Sequence, residues 1–214
     1  MQFPLCSLAL VLGAAVVQAA PVTEPVLAPV VTEPLAERDG LRISIVPTST
    51  EGDVGIIDLK TGSPCINVRL QNTSDKALSL YEERNSVGFY NLTLEITEVD
   101  DKVLNKTLVV RKGPMNWWAN SLSRQIIKPG ESLVRVARLH IPSEKDKKAD
   151  LSGWLYRDFP LPPVNGTRDI TMRAVFQTPH AFDGTSTLKP KESSTWLGKI
   201  ASQPMNYRIQ WDAN

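Results

Sequence analysis

The fold of this chain follows from the segment Leu41-Arg42-Ile43-Ser44-Ile45, in which every second residue is apolar. Successive side chains of a β-strand point to opposite faces, so this period of two gives a strand with one apolar face and one polar face. The same alternation returns in the segments 66–70, 90–96, 170–176 and 207–211. The chain is therefore predicted to be built from half-buried strands.

Shorter strands complete this pattern. The segments 77–81, 104–111, 133–139 and 196–201 are predicted as strands because their branched and apolar residues pack well on a pleated surface. The best candidate for a helix, 143–155, contains a mixed charge run that is typical of a solvated loop. Turn residues separate the strands at Asp100-Asp101, Lys128-Pro129-Gly130 and Asn165-Gly166. Short strands at this spacing predict an all-β fold with two sheets packed face to face.

Several turn and strand motifs carry a resemblance. The sequence Asn72-Thr73-Ser74-Asp75-Lys76 between two strands resembles the opening of immunoglobulin-like domains in uncharacterised secreted proteins, chiefly bacterial. The turn 127–132 resembles their Leu-x-Pro-Gly-Glu turn, and the segments 172–176 and 196–202 resemble their closing strands. The resemblance implies an antiparallel immunoglobulin-like β-sandwich of about 7–9 strands. Its motifs carry no known chemistry, so it implies a fold rather than an activity.

The N-terminal part of the chain differs from the rest. Residues 1–19 are predicted to be a secretory signal peptide, because an apolar run at 5–17 precedes small residues at the cleavage position. The run is shorter than the roughly 20 residues that span a bilayer, so no membrane span is expected in the mature chain. Residues 20–38 repeat Val-Thr-Glu-Pro and predict a Pro-rich spacer, followed by the sandwich domain at 39–214. The protein is thus expected to be secreted: extracellular, or periplasmic in a Gram-negative bacterium.

Charge and cysteine content exclude other classes. The 24 basic and 23 acidic side chains give a net charge of +1, and no basic stripe interleaved with aromatics occurs, so nucleic acid is not an expected partner. Signal-peptide cleavage removes Cys6 and leaves Cys65 alone, so no internal disulfide is predicted. Cys65 lies in a strand pattern that favours a small buried hydrophobe; an exposed thiol for dimerisation is the alternative.

No catalytic or metal-binding motif is found. His140 and His180 are the chain's two histidines, and neither accompanies a Gly-x-Ser-x-Gly elbow or a His-x-x-x-His pair. No cofactor or metal is expected, and the protein is predicted not to be an enzyme. A carboxylate pair for glycoside hydrolysis stays open, because such a pair is assembled by the fold; Glu82, Glu83 and Glu95 are its candidates.

The loop predicted at 113–123 holds the strongest binding candidates. Trp117 and Trp118 lie there beside Asn116 and Asn120. Indoles with neighbouring amides stack on sugars or anchor a protein partner. An indole in a long loop also commonly folds back to close one end of a sandwich, so both interpretations are kept.

Four sequons are present. Asn72, Asn91, Asn105 and Asn165 each begin Asn-x-Ser/Thr, which makes them N-glycan acceptors in a eukaryotic secretory route and chance occurrences in a bacterium. Asn91 and Asn165 are expected to be accessible, the first from its strand face and the second from its turn.

These observations predict a non-enzymatic secreted binding or interaction module for a protein or a cell-surface polysaccharide. The alternatives are a carbohydrate-binding module that uses the loop tryptophans, and a glycoside hydrolase-like or proteinase-inhibitor-like sandwich. The sequence leaves the partner and the oligomeric state open.

Overall fold

The computed structural model describes residues 36–59, 64–113, 123–139, 156–157, 161, 166–178 and 195–211. Over these residues the chain is nearly all β, as predicted, with one helical turn, α1 (Ser86–Phe89). The fourteen strands of the described residues exceed the seven to nine expected, because short pairing segments add to the long strands. The strands are β1 (Ala36–Arg38), β2 (Leu41–Val46), β3 (Thr50–Glu51), β4 (Val54–Asp58), β5 (Cys65–Asn72), β6 (Leu78–Tyr81), β7 (Leu92–Val99), β8 (Lys102–Lys112), β9 (Arg124–Ile127), β10 (Ser132–Arg138), β11 (Tyr156–Arg157), β12 (Gly166–Thr178), β13 (Gly198–Ala201) and β14 (Met205–Trp211).

The first sheet has the strand order β1-β2-β5-β10, and all its pairs are antiparallel. Ile43 pairs with Leu70, which pairs in turn with Leu133, so apolar positions of three strands lie side by side. This register follows from the alternation, since a slip by one residue would turn every apolar side chain of a strand to the opposite face.

The second sheet has the order β11-β8-β7-β12-β14-β4-β3, and β13 also pairs with β12. Its β14–β4 pair is parallel, with Ile209 beside Ile57, so the sheet is mixed and the expectation of a purely antiparallel fold is wrong at this point. These two strands are far apart in sequence and are not joined by a hairpin, so no tight turn imposes opposite directions on them. Strands β6 and β9 form a separate two-stranded sheet, and Leu80 and Ile127 of this pair belong to the same buried cluster as residues of the two large sheets.

One hydrophobic core lies between the two large sheets. Ile43 and Val68 of the first sheet belong to the same buried cluster as Ile96, Met172 and Ile209 of the second. Each of them is essentially inaccessible to solvent. The two inner faces therefore close on each other as in a β-sandwich.

Two hairpin turns show why local sequence sets the strand ends. Asp39 and Gly40 join β1 to β2 with φ angles of 50° and 75°, and Asp100 and Asp101 join β7 to β8 with 49° and 61°. Two consecutive left-handed residues give the turn whose twist matches that of antiparallel strands. Glycine adopts this conformation at no steric cost and aspartate tolerates it, so the predicted Asp100-Asp101 turn is confirmed.

Candidate functional site

Several predicted residues lie outside the described part of the chain. They are Asn116, Trp117, Trp118, Asn120, His140, Asn165 and His180. However, both ends of segment 113–123, which contains the two tryptophans and is called the tryptophan segment below, are described. β8 leads into it through Lys112 and Gly113, and Ser123 and β9 follow it.

One turn, residues 82–85, holds the C-terminal flank of this segment. The carbonyl oxygen of Ser123 accepts hydrogen bonds from the backbone N–H of Glu82 at 3.1 Å and from Nδ2 of Asn85 at 2.8 Å. The Ser123 hydroxyl donates to Oε2 of Glu82 at 2.8 Å. Ser123 is therefore fixed by three hydrogen bonds to the 82–85 turn.

The same turn also holds the N-terminal flank of the segment, through an ion pair with Lys112. The Lys112 ammonium pairs with the Glu83 carboxylate, whose other oxygen lies 3.2 Å from Nη1 of Arg135. Nη2 of Arg135 donates to the carbonyl oxygen of Tyr81 at 3.1 Å. Lys112, Glu83 and Arg135 are called the ion cluster below. It ties β8, β10 and the 82–85 turn together.

The two cationic side chains of the ion cluster are almost completely buried. The Lys112 side chain is 1% exposed, and its Nζ lies 4.4 Å from the centre of the Phe89 ring, a favourable cation–π arrangement. Burial lowers the pKa of the Lys112 ammonium, and the adjacent Glu83 carboxylate opposes that shift. Tyr156 lines the same space, and its hydroxyl donates to the carbonyl oxygen of Leu92 at 3.1 Å. Glu83 serves here as the counterion of two cations, Lys112 and Arg135.

The carboxylates considered for hydrolysis all have structural partners. Glu82 accepts the Ser123 hydroxyl and Glu83 belongs to the ion cluster. Glu95 lies 2.7 Å from Arg173 on the outer face of the second sheet. Among the described residues, no group of three or more His, Cys, Asp or Glu side chains is arranged to hold a metal ion.

In two of the predicted sequons the asparagine side chain is buried and forms hydrogen bonds within the folded protein. Asn72 is completely buried, and its Nδ2 donates to the carbonyl oxygens of Lys76 at 2.7 Å and Ile127 at 2.8 Å. Its Oδ1 accepts the backbone N–H of Ser74 at 2.9 Å, so the Asn-x-Ser spacing here builds a turn.

Asn91 is also buried, at 1% exposed, and its Nδ2 donates to the Thr178 hydroxyl at 2.8 Å. The expected accessibility of Asn91 is therefore wrong: it precedes β7, and its carbonyl oxygen accepts the N–H of Gln177. Asn105 is exposed on β8. Cys65, at the start of β5, is half-buried rather than fully buried.

The ion cluster was missed from the sequence, although one signal was available. Arg135 is in phase with Leu133 and Ala137, so the alternation of β10 places its side chain on the inner face of the first sheet. A charge at an inward position requires a buried counterion. The counterion, Glu83, lies in a turn more than fifty residues earlier, which no periodicity reveals.

No family model matches the chain, and no curated protein matches it. Within the described residues, no helix has the length and apolar character needed to cross a membrane.

Proposed function

We propose that this protein is a non-enzymatic secreted module with an immunoglobulin-like sandwich, which binds a protein or a cell-surface polysaccharide through its segment 113–123. The observation that carries the proposal is that both flanks of this segment are fixed to the single turn 82–85. A segment with fixed ends loses less conformational freedom on binding, so more of the contact free energy appears as affinity.

The strand order supports the immunoglobulin-like part of the proposal. In that topology one sheet contains strands A, B and E, and the other contains C′, C, F and G. The neighbours β2-β5-β10 and β8-β7-β12-β14 follow this order along the chain and across each sheet. The chain differs from antibody domains in having no pair of cysteines in strands B and F, since Cys65 is the single cysteine after residue 6.

The location of the segment supports a binding role. In variable immunoglobulin domains the connection between B and C and the one after C′ lie at the same end and form part of the binding surface. Here the 82–85 turn lies between β5 and β7, and segment 113–123 follows β8. The hydrogen bonds from Ser123 and the ion cluster join these two connections.

The residue types of the segment suggest its mode of contact. Trp117 and Trp118 supply large apolar surfaces with a hydrogen-bond donor each, as in the anchors of many interfaces. Asn116 and Asn120 supply amides that pair with sugar hydroxyls or peptide groups.

A binding assay with two arms tests the proposal. The first measures retention of the full chain on a panel of insoluble polysaccharides; the second measures binding to intact cells treated beforehand with protease or with polysaccharide-degrading enzymes. We expect retention or cell binding that falls at least tenfold in Trp117→Ala or Trp118→Ala. Val103→Ala, which changes an apolar side chain 74% exposed near the other end of β8, is the control and should bind normally.

The outcomes separate the two partner classes. Loss of cell binding after protease treatment identifies a protein partner, and loss after polysaccharide digestion identifies a glycan. Binding unchanged in both tryptophan variants would place the surface elsewhere and overturn the proposal. Release of reducing sugar from any retained polysaccharide would overturn the non-enzymatic part.

A further inference from the structure

Strand β8 contains a large bulge. The ladder between β7 and β8 pairs Ile96 with Leu108, and then Glu98 with Val103. Four residues of β8, 104–107, therefore stand opposite a single residue of β7. Such an insertion takes the bulged residues out of the regular ladder and bends the strand away from its partner.

The bulge contains the whole sequon Asn105-Lys106-Thr107. Asn105 and Lys106 are exposed, and Val103 just before the bulge is 74% exposed. On the other side of β8, the described residues include one neighbour, β11, which pairs with Arg111 and Lys112 and does not reach the bulge. The Asn105 amide thus lies at a surface from which a large substituent can project into solvent.

The asparagines of the other two described sequons, Asn72 and Asn91, are buried. Asn72 is completely buried, and both of its Nδ2 hydrogens are engaged with backbone carbonyl groups; Nδ2 of Asn91 donates to a buried hydroxyl. A sugar attached to either nitrogen would replace an N–H that the fold uses and would have to occupy packed interior space. The fold therefore distinguishes sequons that are identical in sequence pattern.

We propose that Asn105 is an N-glycosylation site and that Asn72 and Asn91 are unmodified in the folded protein. In the reaction, Nδ2 of Asn105 attacks the anomeric carbon of an oligosaccharide carried on a lipid diphosphate. The nitrogen–carbon bond forms as the bond from that carbon to the diphosphate oxygen breaks. The amide gives one proton to a base of the host transferase, and the lipid diphosphate leaves. The Thr107 hydroxyl completes the sequon that the transferase recognises.

Secretion from yeast tests this inference independently of the proposed binding function. The full chain with its own leader carries Asn165→Gln, so that the fourth sequon makes no contribution. Glycopeptide mass spectrometry on the secreted, folded protein should find glycan on Asn105 and none on Asn72 or Asn91. Asn105→Gln and Thr107→Ala should each abolish the glycosidase-sensitive mobility shift while the melting temperature measured after deglycosylation changes by less than about 2 °C, as for exposed substitutions.

Two results would overturn the inference. One is an unmodified Asn105 in secreted protein that unfolds cooperatively. The other is glycan on Asn72 or Asn91 in protein with the melting temperature of the unmodified chain, because such a protein would tolerate the loss of those interior hydrogen bonds.

Discussion

Replacing Tyr207 by phenylalanine would remove one buried hydroxyl and leave the rest of the ring in place. Tyr207 is 1% exposed in β14, and within the described residues its hydroxyl has no hydrogen-bond partner. Its ring lies against Gly55 of the neighbouring β4, at the place that a Cβ would otherwise fill. Phenylalanine keeps this packing, so the substitution isolates the hydroxyl.

The magnitude follows from the cost of an unpaired polar group. Burying a hydroxyl without a partner costs about 1–3 kcal/mol, and folding of the variant avoids that cost. Tyr207→Phe is therefore expected to raise the free energy of unfolding by about 1 kcal/mol or more. In a domain of this size each kcal/mol corresponds to about 2–4 °C in melting temperature.

Tyr156→Phe is the matched control, since it makes the same chemical change at a buried ring. The Tyr156 hydroxyl donates to the Leu92 carbonyl oxygen at 3.1 Å, so its removal should lower the free energy of unfolding by about 0.5–1.5 kcal/mol. Urea unfolding followed by tryptophan fluorescence measures both variants. If Tyr207→Phe destabilises the protein as much as Tyr156→Phe does, the reasoning from the unpaired hydroxyl is refuted.

The pH dependence gives a second readout of the same pair. Burial raises the pKa of both phenols, so the folded state keeps them protonated at a pH where the unfolded chain ionises. A raised folded-state pKa gives stability that is complete below the unfolded pKa of about 10 and is lost as the pH rises above it. Either phenylalanine variant should therefore lose less stability than the wild type between pH 9 and pH 11, as measured by urea titrations at each pH. Equal losses in all three proteins would contradict the burial argument.

Three further substitutions probe other parts of the structure. Gly55→Ala should destabilise by about 1–3 kcal/mol in urea, because the new Cβ overlaps the Tyr207 ring, and a neutral result would show that the ring moves freely. Glu83→Gln should lower the free energy of unfolding by about 3 kcal/mol, because it leaves Lys112 and Arg135 buried without a counterion. An unchanged denaturation midpoint would show that the ion cluster does not stabilise the fold. Asn72→Ala should lower the melting temperature by several degrees, because two hydrogen bonds of the buried amide, worth about 2 kcal/mol, are lost. Calorimetry measures the melting temperature, and an unchanged value would contradict this expectation.

The candidate site was only partly accessible to sequence reasoning. The tryptophan segment was recognised from residue types, but the turn that holds its flanks was not, because Ser123 and Glu82 are about forty residues apart. The sequons illustrate the same limit. Asn72, Asn91 and Asn105 share one pattern, yet two amides form interior hydrogen bonds and the third lies on an exposed bulge. Which of these applies depends on residues distant in the chain, such as Ile127 and Thr178.

The sequence by itself determined the longer alternating strands, their inward faces and the Asp100-Asp101 turn. Alternation at Leu41 to Ile45 and the Asp100-Asp101 pair act through neighbouring residues, so their effect can be predicted locally. Only the tertiary structure decided the parallel pairing of β14 with β4 and the compensation of inward charges by Glu83. These features depend on which distant segments come together when apolar surface is buried. Contacts between distant segments do not follow from the local hydrophobic periodicity, so they cannot be predicted from it.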